Sequence, residues 1–138
     1  MDGIVPISQG CRASCTYCIS TLARGTLRSY RPEEIISEVG EALAGGRKDI
    51  RLTSLDTGQY GRDMGISLAV LLNRVCRIDG EFRVRVGMMS PMMLRPIISD
   101  LVEAFRGEIR PLTLSTDIIV GFPGEGESEF KDTLDLLR

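Results

Sequence analysis

Apolar residues along this chain switch between short continuous or alternating runs and runs spaced three and four apart, and that switch separates strands from amphipathic helices. Residues 4–8, Ile-Val-Pro-Ile-Ser, form a short apolar strand ending at Gln9-Gly10. Its proline donates no ladder bond, so an end or edge position is expected. From Pro32 the pattern is helical, with Glu33 and Glu34 in the first turn, Ile35, Ile36, Val39 and Leu43 on one face, and Gly45-Gly46 as the stop. Asp49 to Ser54 reads as a second strand, followed by a loop of turn formers, Asp56-Thr57-Gly58-Gln59-Tyr60-Gly61. Leu68, Leu71, Leu72, Val75 and Ile78 recur at helical spacing up to Gly80, and Cys76 reads as a small buried residue on that face. Phe82, Val84, Val86 and Met88 then alternate with Arg83, Arg85 and Gly87 as a third strand, with Arg85 expected to face a polar interior. A weaker helix is expected over 94–105, and a fourth strand from Leu112 to Val120 ahead of Gly121-Phe122-Pro123-Gly124. Phe130, Leu134 and Leu137 begin a last helix.

This order gives four strand-helix units with no repeat or linker between them. Such alternation predicts a parallel sheet covered by helices, with ligands where strands end and loops begin. Four units are too few to close an eight-stranded barrel, so the fold class expected is α/β with an incomplete or curved open sheet. An abrupt start and an uncapped end both read as those of a fragment.

With 138 residues, 43% hydrophobic and 26% charged, the chain has the composition of one ordinary globular core. It has no apolar run near the roughly 20 residues a bilayer crossing needs and no signal-like N-terminus, so a cytoplasmic location without a membrane partner is expected. A net charge of -2 gives no global case for nucleic-acid binding. Locally, Arg12, Arg24, Arg28 and Arg31 precede Glu33, which reads either as a basic entrance near the first loop or as a plain solvated face. The absence of histidine excludes histidine-based triads and removes the commonest zinc ligand. Four cysteines without a signal peptide point to metal or redox chemistry rather than to disulfides.

Three of those cysteines stand as Cys11-x3-Cys15-x2-Cys18 in a single turn-rich loop. Three thiolates hold three irons of a 4Fe-4S cluster and leave the fourth iron open to a ligand. Structural zinc wants four closed ligands, and the fourth would have to be the helical Cys76. Tyr17, just before the third cysteine, reads as lining the cluster or a bound adenine, or as simple packing.

The cysteine spacing, with Tyr17 inside the last gap, resembles the signature of radical S-adenosylmethionine enzymes. The continuation Ala23-Arg24-Gly25-x2-Arg28-Ser29-x2-Pro32-Glu33-Glu34-Ile35 and the segment Thr116-Asp117-Ile118-Ile119-Val120-Gly121-Phe122-Pro123-Gly124-Glu125 resemble methylthiotransferases in particular. Within that group, Leu52-Thr53-Ser54-x-Asp56-Thr57-Gly58-x-Tyr60-Gly61-Arg62-Asp63 and Arg85-Val86-Gly87-Met88 look like the archaeal and eukaryotic branch that acts on threonylcarbamoyladenosine beside the anticodon of tRNA.

The resemblance implies a partial (β/α) radical-SAM barrel, a 4Fe-4S cluster on Cys11, Cys15 and Cys18, and S-adenosylmethionine bound through its amino and carboxylate groups at the open iron. Reductive cleavage by an outside electron donor would give a 5'-deoxyadenosyl radical that takes hydrogen from adenine C2, where sulfur and methyl are then delivered. For the cofactor, Asp56 and Ser90 are expected at ribose or amino-acid groups, and Arg24 or Arg28 at the carboxylate. The Gly121 to Gly124 backbone is expected near the adenine or as a plain turn, and Asp117 joins this set through its matching segment.

Relatives of this kind carry an N-terminal domain with three more cysteines and a C-terminal RNA-binding domain, so residues 1–138 read as a partial core from which both are missing. A unit with a Pro-Val-Gln-Ser-Gly-Ser type motif is also missing between Phe105 and Gly107. Contact with tRNA is accordingly expected through the missing domains, and the isolated chain is expected to give weak uncoupled 5'-deoxyadenosine without methylthiolated tRNA. Two other readings stay open: a radical enzyme with another substrate, such as a ribosomal protein side chain, and a non-catalytic cluster or zinc-binding remnant.

Overall fold

The computed structural model describes residues 2–15, 18–94, 120–121 and 123–136, with isolated positions at 100, 103, 107 and 113. Strand β1 (Gly3–Pro6) is followed by the short β2 (Ser8–Gln9), helix α1 (Ser20–Arg24) and the short β3 (Arg28–Ser29). Helix α2 (Pro32–Ala44), strand β4 (Asp49–Thr53), a 3-10 turn (Thr57–Gln59), helix α3 (Leu68–Cys76) and strand β5 (Arg83–Val86) complete the central part. A single turn α4 (Pro91–Leu94) and helix α5 (Glu127–Leu136) lie beyond it.

Three strands form the parallel sheet that the alternation predicts, in the order β1-β4-β5, with Val5 opposite Leu52 and Leu52 opposite Val86. The proline-containing β1 takes an edge of these three, as its missing donor requires. The expected fourth strand, Leu112 to Val120, lies outside the described residues, as does most of the expected helix over 94–105.

Helix α2 begins with Pro32 as expected, and the Glu34 carboxylate turns back to accept the Arg31 N–H at 3.1 Å, half of a capping box. Ser67 caps α3 by accepting the Val70 N–H at 3.3 Å. Both helices pack on one face of the sheet, where Val5, Ile35, Val39, Ile50, Leu52, Leu71, Leu72 and Val75 form a sealed core. Burying each such side chain fully is worth about 1.5–3 kcal/mol. Cys76, expected as a buried residue of this face, ends α3 only half-buried, one residue beyond the buried Val75.

The opposite face of the sheet is polar. It carries Ile4, Arg51, Arg83 and Arg85, all exposed, and ion pairs Arg51–Asp2 at 2.6 Å and Arg83–Asp49 at 3.4 Å. Arg85 alternates with Val84 and Val86 as expected, but it is exposed and does not face a polar interior.

The sequence reading of one strand over residues 4–8 needs correction. At Ile7 the chain changes partner: its N–H still donates to Thr53 O of the parallel sheet at 2.9 Å, but its carbonyl accepts from Tyr30 N at 3.0 Å. Beyond it β2 pairs antiparallel with β3, Ser8 opposite Ser29 and Gln9 opposite Arg28. A two-residue ladder between distant segments has no periodicity to reveal it.

Candidate functional site

The antiparallel pair closes the base of the cysteine loop. Cys11 N donates to Gly25 O at 3.2 Å, and Gly10 sits at a φ of 70°, where a Cβ would collide with the Thr26 carbonyl. Only glycine lets the strand meet its partner there. The loop from Cys11 to Arg24 therefore leaves and returns at one point, with α1 on its return arm.

Cys11 and Cys15 are half-buried and Cys18 is exposed. Cys11 Sγ accepts two N–H groups, from Ala13 at 3.3 Å and from Gln59 Nε2 at 3.1 Å. Cys18 N donates to Cys15 O at 3.1 Å, which folds the end of the loop back on itself. The Ser20 side chain, and then the Ser20 backbone, hold the Cys18 thiol below its ordinary pKa and favour the thiolate. Among the described residues the three sulfurs are not gathered into a metal-holding group, and Tyr17 lies outside those residues. The donor set still fits a cluster: three thiols on one loop, one receiving N–H groups and one biased to its anionic form.

Beside this loop stands a second one, running from Asp56 to Gly61, every residue of which is buried. Asp56 is 7% exposed and both its oxygens are used inside the protein. Oδ1 accepts Gly58 N at 3.1 Å and Ser90 N at 3.2 Å; Oδ2 accepts Gln59 Nε2 at 3.0 Å and Ser90 Oγ at 2.7 Å. The expected pair Asp56 and Ser90 is thus brought together, each bonded to the other. Thr57 Oγ1 donates to Gly87 O at 3.1 Å and Met88 O at 3.0 Å, tying this loop to the end of β5.

Its outer end grips the first loop's base. Tyr60 OH donates to Tyr30 O at 2.9 Å, and burial pushes the Tyr60 pKa up to about 12. Asp63 accepts Ser29 N at 2.8 Å and Ser29 Oγ at 2.6 Å, while Ser29 Oγ accepts Gly61 N at 2.9 Å. Burial alone would raise the Asp63 pKa, but the Ser29 hydroxyl and backbone N–H outweigh it and lower the value.

Other expected site residues stand apart from this network. Arg24, at the end of α1, and Arg28, on β3, are exposed. Gly121 and Gly124 are exposed with φ of 71° and 93°, and a Cβ on either meets open space, so backbone conformation rather than close approach requires glycine there. Asp117 lies outside the described residues. Sequence reasoning missed Gln59, although its place in a turn-rich loop after a strand was the available signal.

The sequence profile of the radical SAM superfamily matches residues 5–105, from β1 through the cysteine loop and past α4. The chain belongs to this superfamily. The radical SAM match makes the three parallel strand-helix units part of a radical-SAM α/β fold, and a 4Fe-4S cluster and S-adenosylmethionine are the cofactors of this family. Among curated proteins, the probable threonylcarbamoyladenosine tRNA methylthiotransferase of Pyrococcus horikoshii is 38% identical, aligned over 98% of this chain and 41% of its own length. The tRNA-2-methylthio-N(6)-dimethylallyladenosine synthase of Moorella thermoacetica is 35% identical over 99% of this chain and 40% of its own. The threonylcarbamoyladenosine tRNA methylthiotransferase of Drosophila pseudoobscura pseudoobscura is 33% identical over 96% and 32%. This radical SAM chain spans less than half the length of each of these relatives. The Pyrococcus alignment runs over 175 positions against 138 residues here, so the relative carries residues with no counterpart in this chain.

Proposed function

We propose that this chain is the cofactor-holding part of a radical SAM methylthiotransferase core, whose substrate is N6-threonylcarbamoyladenosine in tRNA. Cys11, Cys15 and Cys18 hold the cluster, and the bound cluster with S-adenosylmethionine supplies one-electron chemistry for hydrogen abstraction. The protein's own work is positioning. The buried loop from Asp56 to Gly61 carries this reading, because it fixes Cys11 Sγ and the Ser90 backbone in one hydrogen-bonded chain beyond the end of the central strand β4. Five archaeal relatives, 36–39% identical, share the threonylcarbamoyladenosine name, which favours that base over dimethylallyladenosine. Arg24 and Arg28, exposed near the cysteine loop, are the cations available for the cofactor carboxylate. The further domains that grip tRNA, an outside electron donor and a cytoplasmic setting belong to the same proposal.

Two readouts test it. The anaerobically reconstituted chain, given S-adenosylmethionine, sulfide and reductant, is expected to form 5'-deoxyadenosine above a Cys15→Ala control, with no methylthio product. For the substrate, residues 3–94 are grafted into the matching span of the Pyrococcus relative, and tRNA nucleosides are analysed by mass spectrometry. The methylthio derivative of threonylcarbamoyladenosine is expected. A folded, cluster-bearing graft that yields a methylthio derivative of another base, or none, contradicts the proposal.

A further inference from the structure

We infer that Gln59 is a positioning residue for the cluster, whose side-chain amide holds Cys11 in place and, by donating an N–H to its sulfur, raises the cluster's reduction potential. This rests on the reading of Cys11 as a cluster ligand. Gln59 is 1% exposed, and its amide makes three hydrogen bonds. Oε1 accepts the Arg12 backbone N–H at 2.8 Å, while Nε2 donates to Cys11 Sγ at 3.1 Å and to Asp56 Oδ2 at 3.0 Å. The orientation of the amide is forced. A backbone N–H can only donate and a carboxylate can only accept, so the flipped amide would face a donor with its NH2 and an acceptor with its oxygen.

Asp56 is fixed in turn by Gly58 and Ser90, so the N–H aimed at the sulfur is backed by a rigid, buried support. Gln59 lies 48 residues along the chain from Cys11, and folding of the second loop is what brings this donor to the first. A thiolate that shares its charge with an N–H donates less of it to iron. The reduced cluster, which carries one more negative charge, gains most from that, and the potential rises.

The test is an EPR-monitored redox titration of the reconstituted full chain and of Gln59→Glu, Gln59→Met and Thr57→Val. Gln59→Glu keeps an acceptor for Arg12 N but donates nothing to the sulfur, and Gln59→Met removes the amide at similar length. Both are expected to shift the midpoint to lower potential. Thr57→Val removes the hydroxyl that ties the same loop to Gly87 O and Met88 O without touching Cys11, and is expected to lower the unfolding temperature with the midpoint unmoved. A second readout leaves Gln59 unsubstituted. The chain has two glutamines, Gln9 and Gln59, so 15N-amide labelling should give a weak nitrogen coupling to the reduced cluster that Gln9→Glu retains. An unshifted midpoint in either folded Gln59 variant, an equal shift in Thr57→Val, or absence of that coupling overturns the inference and leaves the ligand reading standing. Failure of the unsubstituted chain to hold any cluster overturns both.

Discussion

The two loops that meet at Gln59 are built in opposite ways. From Asp56 to Gly61 every residue is buried, and the Asp56, Thr57, Gln59 and Tyr60 side chains all bond to other parts of the protein. In the cysteine loop residues 11–15 alternate between half-buried and exposed, and Ile19, Leu22 and Arg24 on its return arm are exposed. One loop is held by the protein's own groups; the other is held at its base and by Gln59, and offers its sulfurs. Under the proposed function the difference divides the labour: the rigid loop would supply position, and the open loop ligands whose final arrangement belongs to what they bind.

Substitutions that break the rigid loop should therefore damage folding first. Asp56→Ala strands four donors, from Gly58, Gln59 and the Ser90 backbone and hydroxyl, in a nearly sealed site. A stability loss of at least about 3 kcal/mol in urea unfolding is expected, from the penalty for unsatisfied buried groups. A loss under about 1 kcal/mol would mean that these groups find water and that the loop is not the rigid partner.

Cys76→Ala probes the fourth cysteine, which stands on α3 outside both loops. It should lower stability by about 1 kcal/mol, as a small core truncation does, and leave cluster content unchanged. Loss of iron in this variant would move a ligand from the open loop to the helix.

A smaller effect is expected at Asp63, which joins the rigid loop to Ser29. Its folded pKa lies below the unfolded one, so its contribution is complete above the ordinary carboxylate pKa and is lost as pH falls through the lowered folded value. Asp63 is largely solvent-accessible, which limits the contribution to below about 1 kcal/mol. Unfolding curves of the chain and of Asp63→Asn should converge as pH falls below that value. A gap between them that stays constant with pH would remove the charge from the account.

The sequence made some of this legible. Periodicity gave α2, α3 and all three parallel strands, because an apolar face at a fixed spacing survives any tertiary arrangement. Cysteine spacing singled out the loop to which the proposed function assigns the cluster. The β2–β3 pair stayed hidden, since two-residue strands carry no period. Helix α1 was also missed; it is five residues long and buries none of them, so no apolar stripe marks it. Asp56 and Ser90 were expected at the cofactor's ribose or amino-acid groups; Asp56 instead spends both oxygens on protein donors, Ser90 among them, and that pairing depends on how β4 and β5 align. Gln59 had only its place in a turn-rich loop to mark it, because its partners Cys11 and Arg12 come near only once the sheet has formed.

The division of labour is tested most directly at Cys15, which belongs to the open loop and accepts no bond from the rigid one. Iron and acid-labile sulfide per chain, measured after anaerobic reconstitution, are compared with urea stability of the unreconstituted protein for the wild type and Cys15→Ala. The wild type should hold about four irons and four sulfides. Cys15→Ala should match its urea stability to within about 0.5 kcal/mol, as substitutions away from packed or bonded features do, yet hold almost no cluster. A Cys15→Ala protein that keeps the wild-type iron content, or a wild type that takes up zinc in place of iron, would contradict the account.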